Sequence, residues 1–336
     1  MELYLDSADL KEIETAFQLG YLAGLTTTPT FMHRAGITDI DGTIVKLSQM
    51  VPVLQIEALG NTAEEIRDEA LRLLDLGLDK TKTVFKIPIS LEGTRACHML
   101  RKEDMLVNLH LVYTVQQAYM AMTAGATYVC PLVGRLQDQG QDALGLVAQC
   151  VEAVDHYGYP TKVMFSSVRY VEHVRNALNL GVHTITVPWK VMQKLTDNHF
   201  TDIGTQQFVE HTRMTTLRVR DIIRPANPII HTDATILDAL VEMSRSGLGA
   251  VTLLDGNEAI VGVFTDGDLR RQIETHGKDV LTHSLSELAK KAPYQIEADA
   301  ALLEASNLFK ETKVDTLLVV DKGRPVGMLD IQDLIQ

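Results

Sequence analysis

The sequence TVFKIPIS, residues 83–90, shows the pattern from which the fold of the larger part of the chain can be predicted. It is a short run of β-branched and apolar residues, and the helix-like pattern LEGTRACHML follows it directly. Seven more runs of this kind occur between residues 2 and 189, separated by stretches of helical period. This alternation predicts parallel strands covered by helices. The predicted strands are ELYLDS (2–7), LAGLTTT (22–28), VLQIEAL (53–59), TVFKIPIS (83–90), LVNLHLVY (106–113), TYVCPLVG (127–134), TKVMFSSV (161–168) and HTITVPW (183–189).

Eight strand–helix units in about 200 residues predict an α/β fold, a small closed (β/α)8 barrel of the TIM type. An open, doubly wound sheet shows the same alternation and is the alternative, but the count of eight favours the barrel. One predicted helix, NTAEEIRDEALRLLDLG (61–77), has Asn61 as its N-cap and Gly77 at its end. Active-site side chains of such barrels gather where the strands end, so polar residues there are the first candidates.

An internal repeat follows the predicted barrel. Residues 228–273 align with residues 293–336, and each copy contains a short leading segment, a helix, two strands joined by a turn, and a final helix. The repeat predicts a smaller α+β tandem module. The matched positions are Asp233 with Asp299, Asp238 with Glu304, Gly262 with Gly327, and Asp268 with Asp333. We place the barrel domain at residues 1–212 and the module at residues 213–336, with repeats at about 217–275 and 283–336.

The composition excludes several classes of protein. The 336 residues include 31 Lys and Arg against 44 Asp and Glu, and the resulting net charge of −13 opposes binding to nucleic acid or to an anionic membrane. The three cysteines, Cys97, Cys130 and Cys150, cannot all pair and lack metal-ligand spacing, which predicts a reducing compartment and no metal site. The start is acidic, and no run of about 18 apolar residues occurs. We therefore expect a cytoplasmic protein without nucleic-acid or membrane partners.

Lys86 interrupts the apolar strand 83–90 and is the sharpest catalytic candidate. On an inward-facing position its ammonium group would lose solvation, which favours the neutral amine that attacks carbonyl carbons. The alternatives are a buried structural lysine paired with a carboxylate and a lysine whose side chain snorkels to the end of the strand. Other strand ends supply acid–base candidates and a potential phosphate-binding group. These residues are Asp6, Glu57, His110, Arg135, Ser167 and Arg169.

Residues 1–210 resemble the small transaldolase and fructose-6-phosphate aldolase family. The resemblance is carried by MELYLDSADLKEIE, LAGLTTTPT, TVFKIPIS with LEG, AGATYVCPLVGRLQDQG and KVMFSSVRY. It implies that Lys86 forms a Schiff base, so no cofactor is expected. It also implies that Asp6 handles substrate hydroxyls and protons, and that Glu57, the transaldolase-like residue at its position, acts as acid and base through water. The phosphate-binding group then corresponds to Arg135, Ser167 and Arg169.

Three positions depart from the family pattern. Thr28 replaces an asparagine that contacts the bound sugar, His110 replaces a threonine that helps hold the catalytic water, and Leu132 replaces an aromatic residue. Thr28 remains a substrate-binding candidate and His110 a catalytic one, because an imidazole could position water or titrate beside Glu57. The alternative for His110 is a neutral core histidine bonded to a backbone carbonyl.

The tail resembles a tandem CBS-domain pair, and VGVFTDGDLRR is similar to the pair that follows the isomerase domain in arabinose-5-phosphate isomerases. Such a pair implies an adenine or cytidine nucleotide or a nucleotide sugar as effector, and the alternative is a purely structural dimerisation module. The implied effector residues are Thr265 and Asp268 in the first copy, and Asp330 and Asp333 in the second. Since Asp330 replaces a hydroxyl and would repel phosphate, the two clefts are not expected to be equivalent.

These observations predict a sugar-phosphate transaldolase that transfers a dihydroxyacetone unit between phosphorylated ketoses and aldoses. A lyase of the fructose-6-phosphate aldolase type is the second choice. The rival interpretation is a catalytically impaired barrel that binds a sugar phosphate or nucleotide as a regulatory protein. Both barrels of this family and CBS pairs associate, so a homo-oligomer is expected.

Overall fold

The computed structural model describes residues 1–224, 226–288 and 291–335. The chain divides into two compact units, Met1–Asp197 and Asn198–Gln336. Within the described residues, no helix is both long enough and apolar enough to cross a membrane.

The first unit is a closed barrel of eight parallel strands in sequential order, with β8 pairing to β1. This confirms the predicted (β/α)8 fold. The strands are β1 (Glu2–Asp6), β2 (Gly24–Thr26), β3 (Leu54–Glu57), β4 (Thr83–Pro88), β5 (Leu106–Val112), β6 (Tyr128–Pro131), β7 (Lys162–Phe165) and β8 (Thr184–Pro188). The helices are α1 (Leu10–Phe17), α2 (Pro29–Arg34), α3 (Ile40–Met50), α4 (Ala63–Asp75), α5 (Leu91–Lys102), α6 (Val115–Thr123), α7 (Val133–Asp138), α8 (Ala143–Tyr157), α9 (Val171–Asn179) and α10 (Trp189–Met192).

The alternation of side chains along each strand places the site. On β4, Phe85 and Ile87 are fully buried and belong to the hydrophobic core that the helices share, whereas Lys86 lies on the opposite face of the strand, inside the barrel. Glu57 is the register partner of Lys86, and His110 is the partner of Pro88 on the next strand. Three neighbouring strands therefore bring polar side chains to the same end of the barrel.

Helix boundaries depend on single capping side chains. The hydroxyl of Thr62 accepts a hydrogen bond from the Glu65 backbone N–H and caps α4, so the expectation that Asn61 is the N-cap was wrong by one residue. At the other end, Gly77 has a φ of +98°, a conformation that glycine adopts without strain, and stops the helix as expected.

The second unit contains two sheets of three strands each, one from each copy of the repeat, with orders β11-β10-β9 and β12-β13-β14. Each copy has one parallel and one antiparallel pairing, which confirms the predicted tandem module. Its elements are α11 (His199–Thr216), α12 (Val219–Ile222), β9 (Ile229–His231), α13 (Ile236–Ser246), β10 (Ala250–Leu254), β11 (Ile260–Thr265), α14 (Asp266–His276), β12 (Gln295–Glu297), α15 (Leu302–Thr312), β13 (Thr316–Asp321) and β14 (Arg324–Asp330), with short 3-10 helices at Lys278–Thr282, Leu285–Glu287 and Ile331–Leu334.

Candidate active site

Lys86 lies inside the barrel near the carboxyl ends of the strands. Its side chain is 7% exposed, its Nζ is 3.0 Å from Glu57 Oε1, and it donates a hydrogen bond of 3.0 Å to the backbone carbonyl of Thr27. The amine is thus held by two oxygens, the carbonyl oxygen of the residue that follows β2 and a carboxylate oxygen at the end of β3. A buried lysine with a carboxylate within proton-transfer distance has the arrangement that carbonyl chemistry through an amine requires.

Glu57 bridges Lys86 and His110. Its Oε2 lies 2.9 Å from His110 Nε2, and its side chain is 6% exposed. Burial by itself raises the pKa of Glu57, but the charge of Lys86 and the contact with His110 outweigh burial and hold that pKa below its ordinary value. Glu57 is therefore ionised and suited to accept a proton.

Asp6 lies at the end of β1, close enough to Lys86 for their charges to interact. It is the register partner of Thr26, whose hydroxyl donates a hydrogen bond of 2.8 Å to Asp6 Oδ1. Although solvent reaches part of the residue, its low-dielectric surroundings raise the pKa of the carboxyl, and the opposing effects of Lys86 and Thr26 are smaller. Two carboxylates near one amine thus have pKa values displaced in opposite directions, a pattern that separates acid and base roles.

The predicted phosphate-binding residues lie on the loops that follow β6 and β7, which approach closely; the first of these loops contains the short helix α7. Arg135 lies in α7, directly after Gly134, and a Cβ on Gly134 would come within 2.2 Å of the Ser167 carbonyl oxygen and 2.8 Å of Arg169 Nε. Ser167 itself has a φ of +59°, which is rare for a residue with a side chain. The structure thus brings Arg135, Ser167 and Arg169 together at the ends of β6 and β7.

Sequence reasoning missed three side chains that hold this group. The guanidinium of Arg169 forms a bidentate ion pair with the carboxylate of Asp138. His173 Nδ1 accepts the backbone N–H of Arg169 at 3.2 Å, and Arg135 Nη1 lies 3.5 Å from the hydroxyl of Tyr113. Tyr113 ends a predicted strand and Asp138 lies in a segment that carries the family resemblance, but nothing in either pattern says which arginine they contact, so only the fold reveals these roles.

The departures Thr28 and Leu132 have structural explanations. Thr28 is the N-cap of α2, and its Oγ1 accepts the backbone N–H of Phe31 at 3.3 Å. Leu132 is buried directly before α7, with an exposed fraction of 8%. The Thr28 hydroxyl therefore already serves the helix, and Leu132 adds apolar surface.

The predicted effector residues divide between two places in the second unit. Thr265 and Asp268 form a capping box at the start of α14, and together with Asp330 they line a cavity of about 740 Å³ that Arg270 and Lys291 also face. Asp333 does not line this cavity. Its carboxylate is 5% exposed and accepts hydrogen bonds of 3.0 and 3.2 Å from Arg224.

Comparison with known proteins agrees with the division of the chain into a barrel and a tandem module. A family model described as Transaldolase/Fructose-6-phosphate aldolase matches residues 3–221, and a CBS domain model matches residues 219–275 and 285–336. A protein named "Probable transaldolase 2" from Bacillus anthracis is 35% identical over 213 residues, which cover 62% of this chain and 96% of that protein. A "Probable transaldolase" from Thermoanaerobacter sp. is 34% identical over 220 residues, covering 65% of this chain and all of that protein. The crystal structure of a CBS-domain containing protein from Agrobacterium tumefaciens is similar with a TM-score of 0.33 and 20% identity, and covers 36% of this chain and 92% of that one.

Proposed function

Because this chain belongs to the transaldolase/fructose-6-phosphate aldolase family over residues 3–221, we propose that its barrel is a sugar-phosphate transaldolase that works through a Schiff base on Lys86. The observation that carries the proposal is the position of Lys86 Nζ, buried in the barrel and 3.0 Å from an ionised Glu57. Glu57 favours the transferase over the lyase, since the resemblance assigns glutamate at this position to transaldolases.

The reaction starts at the amine. Lys86 passes a proton to Glu57, and the free amine adds to the ketose carbonyl carbon. The carbinolamine loses its hydroxyl group as water with a proton returned by Glu57, and an iminium ion remains. Glu57 Oε1 faces the amine and is placed to carry this proton, while Oε2 lies 2.9 Å from His110 Nε2.

Cleavage then needs a second base, for which Asp6 is placed. Its carboxylate removes the proton of the C4 hydroxyl, the C3–C4 bond breaks, and the electron pair of that bond converts the iminium ion into an enamine. The raised pKa of Asp6 makes it a stronger base than an ordinary aspartate when ionised. The released aldose phosphate departs, and the enamine adds to a second aldose phosphate or is protonated and hydrolysed.

The arginines supply the substrate's phosphate site. Guanidinium groups match phosphate oxygens in charge and geometry, and Arg135 and Arg169 come from loops that Gly134 allows to approach. Ser167, whose Oγ would lie 2.9 Å from a Cβ on Gly134, adds a hydroxyl donor. We expect phosphorylated ketoses and aldoses to bind with the phosphate on these side chains.

For the second unit we propose regulation by an adenine or cytidine nucleotide or a nucleotide sugar. The cavity of about 740 Å³ can hold a ligand of this size, and Arg270, Arg271 and Lys291 supply positive charge beside Thr265. A thermal-shift panel of these nucleotides tests it, because a ligand that binds only the folded state raises the melting temperature. If none of them shifts the protein, the module is structural.

Borohydride reduction in the presence of fructose 6-phosphate tests the catalytic proposal. We expect a stable adduct in the intact mass and, after peptide mapping, on Lys86, and no adduct with K86M. An added aldose phosphate then separates transferase from lyase, because a transferase forms a new ketose phosphate faster than it releases dihydroxyacetone. If a folded preparation gives no adduct with any ketose phosphate, the barrel is a binding protein.

A further inference from the structure

His110 is the last inward-facing residue of β5, and the backbone is bent to place it. The pairing register with β6 shifts between His110 and Val112, and Leu111 within this bulge has a φ of +59°. The extra residue returns Val112, which is fully buried, to the core shared with the helices. Bulges of this kind redirect a side chain beside an active site.

Among the described residues, Glu57 is the one whose side chain approaches Nε2 of the His110 imidazole. His110 Nε2 lies 2.9 Å from Glu57 Oε2, but neither atom has a well-aligned hydrogen bond to any of the described residues. Both side chains are at least nine-tenths buried. The predicted alternative, a core histidine bonded to a backbone carbonyl, does not fit an imidazole that faces a carboxylate.

The charges around His110 come from three elements: Glu57 on β3, Lys86 on β4 and Arg135 in α7. Burial lowers the pKa of His110, the two cations lower it further, and the opposing effect of Glu57 does not compensate. The imidazole is therefore neutral at neutral pH, and its proton is assigned to Nε2 because that atom faces the carboxylate.

We propose that His110 is a positioning residue for the catalytic acid–base group: its Nε2–H, already 2.9 Å from Glu57 Oε2, turns into line with that oxygen and keeps the carboxylate ionised and directed at Lys86. This inference rests on the proposed function of Glu57 and Lys86. The neutral imidazole orients Glu57 while leaving it basic enough to accept the Lys86 proton. A protonated imidazole would bind the carboxylate more strongly, and Glu57 would then accept that proton less readily.

The test compares H110Q and H110L with the wild-type enzyme in the cleavage of fructose 6-phosphate. The amide nitrogen of glutamine can donate the same hydrogen bond but does not titrate, whereas leucine donates none. We expect H110Q to keep kcat/KM within about fivefold at about pH 8, and H110L to lose about 10²-fold, the lower end of what a positioned acid–base group contributes.

The pH profile separates this role from a purely structural one. In the ratio of kcat/KM for H110Q to kcat/KM for the wild type, the titration of groups common to both proteins, including Asp6, cancels. We expect the ratio to rise by up to about tenfold per pH unit below the pKa of His110, because only the wild type is inactivated by protonation there. The exposed His156 on α8 supplies the matched control, since H156Q should leave the profile unchanged.

A flat ratio, or full activity in H110L, overturns the proposal. If H110Q does not fold, imidazole titration by NMR in the wild type and in E57Q decides the matter. The pKa of His110 should fall when Glu57 is neutralised, and an unchanged value refutes the contact. If the wild type forms no borohydride adduct on Lys86, the proposed function fails instead, whereas an adduct together with a flat ratio rejects only the role of His110.

Discussion

Substituting Gly134 by alanine tests whether the close approach of two loops builds the phosphate site. The added Cβ would lie 2.2 Å from the backbone oxygen of Ser167, and real Cβ atoms do not come closer than 3.0 Å. The loops must therefore separate by about 0.8 Å, because a backbone carbonyl cannot rotate away as a flexible side chain can. That movement would carry Ser167 and Arg169 away from Arg135.

We expect two measurable losses in G134A. The barrel should be destabilised by about 1–3 kcal/mol, the usual cost of overpacking. The KM for fructose 6-phosphate should rise by about 10- to 10²-fold, as expected for a misplacement approaching 1 Å. Adduct formation on Lys86 with unphosphorylated dihydroxyacetone should change little, because that ligand does not use the arginines.

The chain offers a direct assay and a matched control. Trp189 is the only tryptophan in the sequence and lies in the barrel unit, so its fluorescence during urea unfolding reports on that unit. Gly204 lies inside α11 with open space around its Cβ position, and G204A should keep the KM and leave the tryptophan transition unchanged. If G134A shows wild-type stability and an unchanged KM for the phosphorylated ketose, the loop contact does not shape the phosphate site.

Three further predictions follow from buried or paired charges. The pKa of Asp6 is raised in the folded protein, so ionisation of Asp6 opposes folding at pH values above its pKa in the unfolded chain. D6N should therefore abolish cleavage yet stabilise the barrel at neutral pH by about 0.5–2 kcal/mol. In urea titrations this gain should vanish as the pH falls below the pKa of Asp6 in the unfolded chain. Removing Arg224 leaves the buried Asp333 carboxylate without its cationic partner, although the backbone N–H of Asp330 still donates to it. Calorimetry of R224A should therefore show the second unit destabilised by about 1–3 kcal/mol, and that of R224A/D333N a partial recovery; an unchanged R224A transition contradicts the pairing. Burial raises the pKa of the Cys130 thiol to about 11, so iodoacetamide at about pH 8 should label it in urea but not in the native protein, as mass spectrometry of the peptide would reveal.

The fold was predictable because the short apolar runs in the sequence correspond to buried strands, and the stretches of helical period between them correspond to the helices that cover those strands. Each observed barrel strand lies within its predicted run, and the family and CBS resemblances are confirmed by the matches over residues 3–221, 219–275 and 285–336. The inward-facing position of Lys86 was predictable as well, because both faces of a strand in a parallel barrel are buried and a cation is rarely tolerated on the face that packs against the helices. Its role in catalysis stays a prediction.

The contacts that set the properties of the site were not predictable from residue patterns. The bulge at Leu111, which aims His110, arises from how β5 meets β6 and has no signal such as glycine at that position. The pairing of Arg224 with Asp333 joins residues 109 positions apart, and repeat symmetry alone gives Asp333 the same role as Asp268. Both carboxylates cap the helix on which they lie, but Asp268 pairs with Arg271 within its own motif, whereas Asp333 pairs with Arg224 outside it. Symmetry in sequence therefore overstates symmetry in chemistry.

The chain has a negative net charge, yet the ligands proposed for it are anions. Pairs of arginine with carboxylate at the proposed sites bear on this apparent conflict. Arg169 is held by Asp138 at the barrel, and Arg271 by Asp268 in the second unit, so these cations already have carboxylate partners. An incoming phosphate competes with an internal carboxylate for the guanidinium donors, and where it displaces that carboxylate the free energy gained is the difference between the two pairings. A phosphate dianion has more charge and more acceptor oxygens than the carboxylate it displaces, whereas a carboxylate ligand has no such advantage. We therefore expect the arginine–carboxylate pairs at the two proposed sites to favour phosphorylated ligands. D138N should weaken that preference, so that simple carboxylic acids compete with the ketose phosphate in inhibition assays.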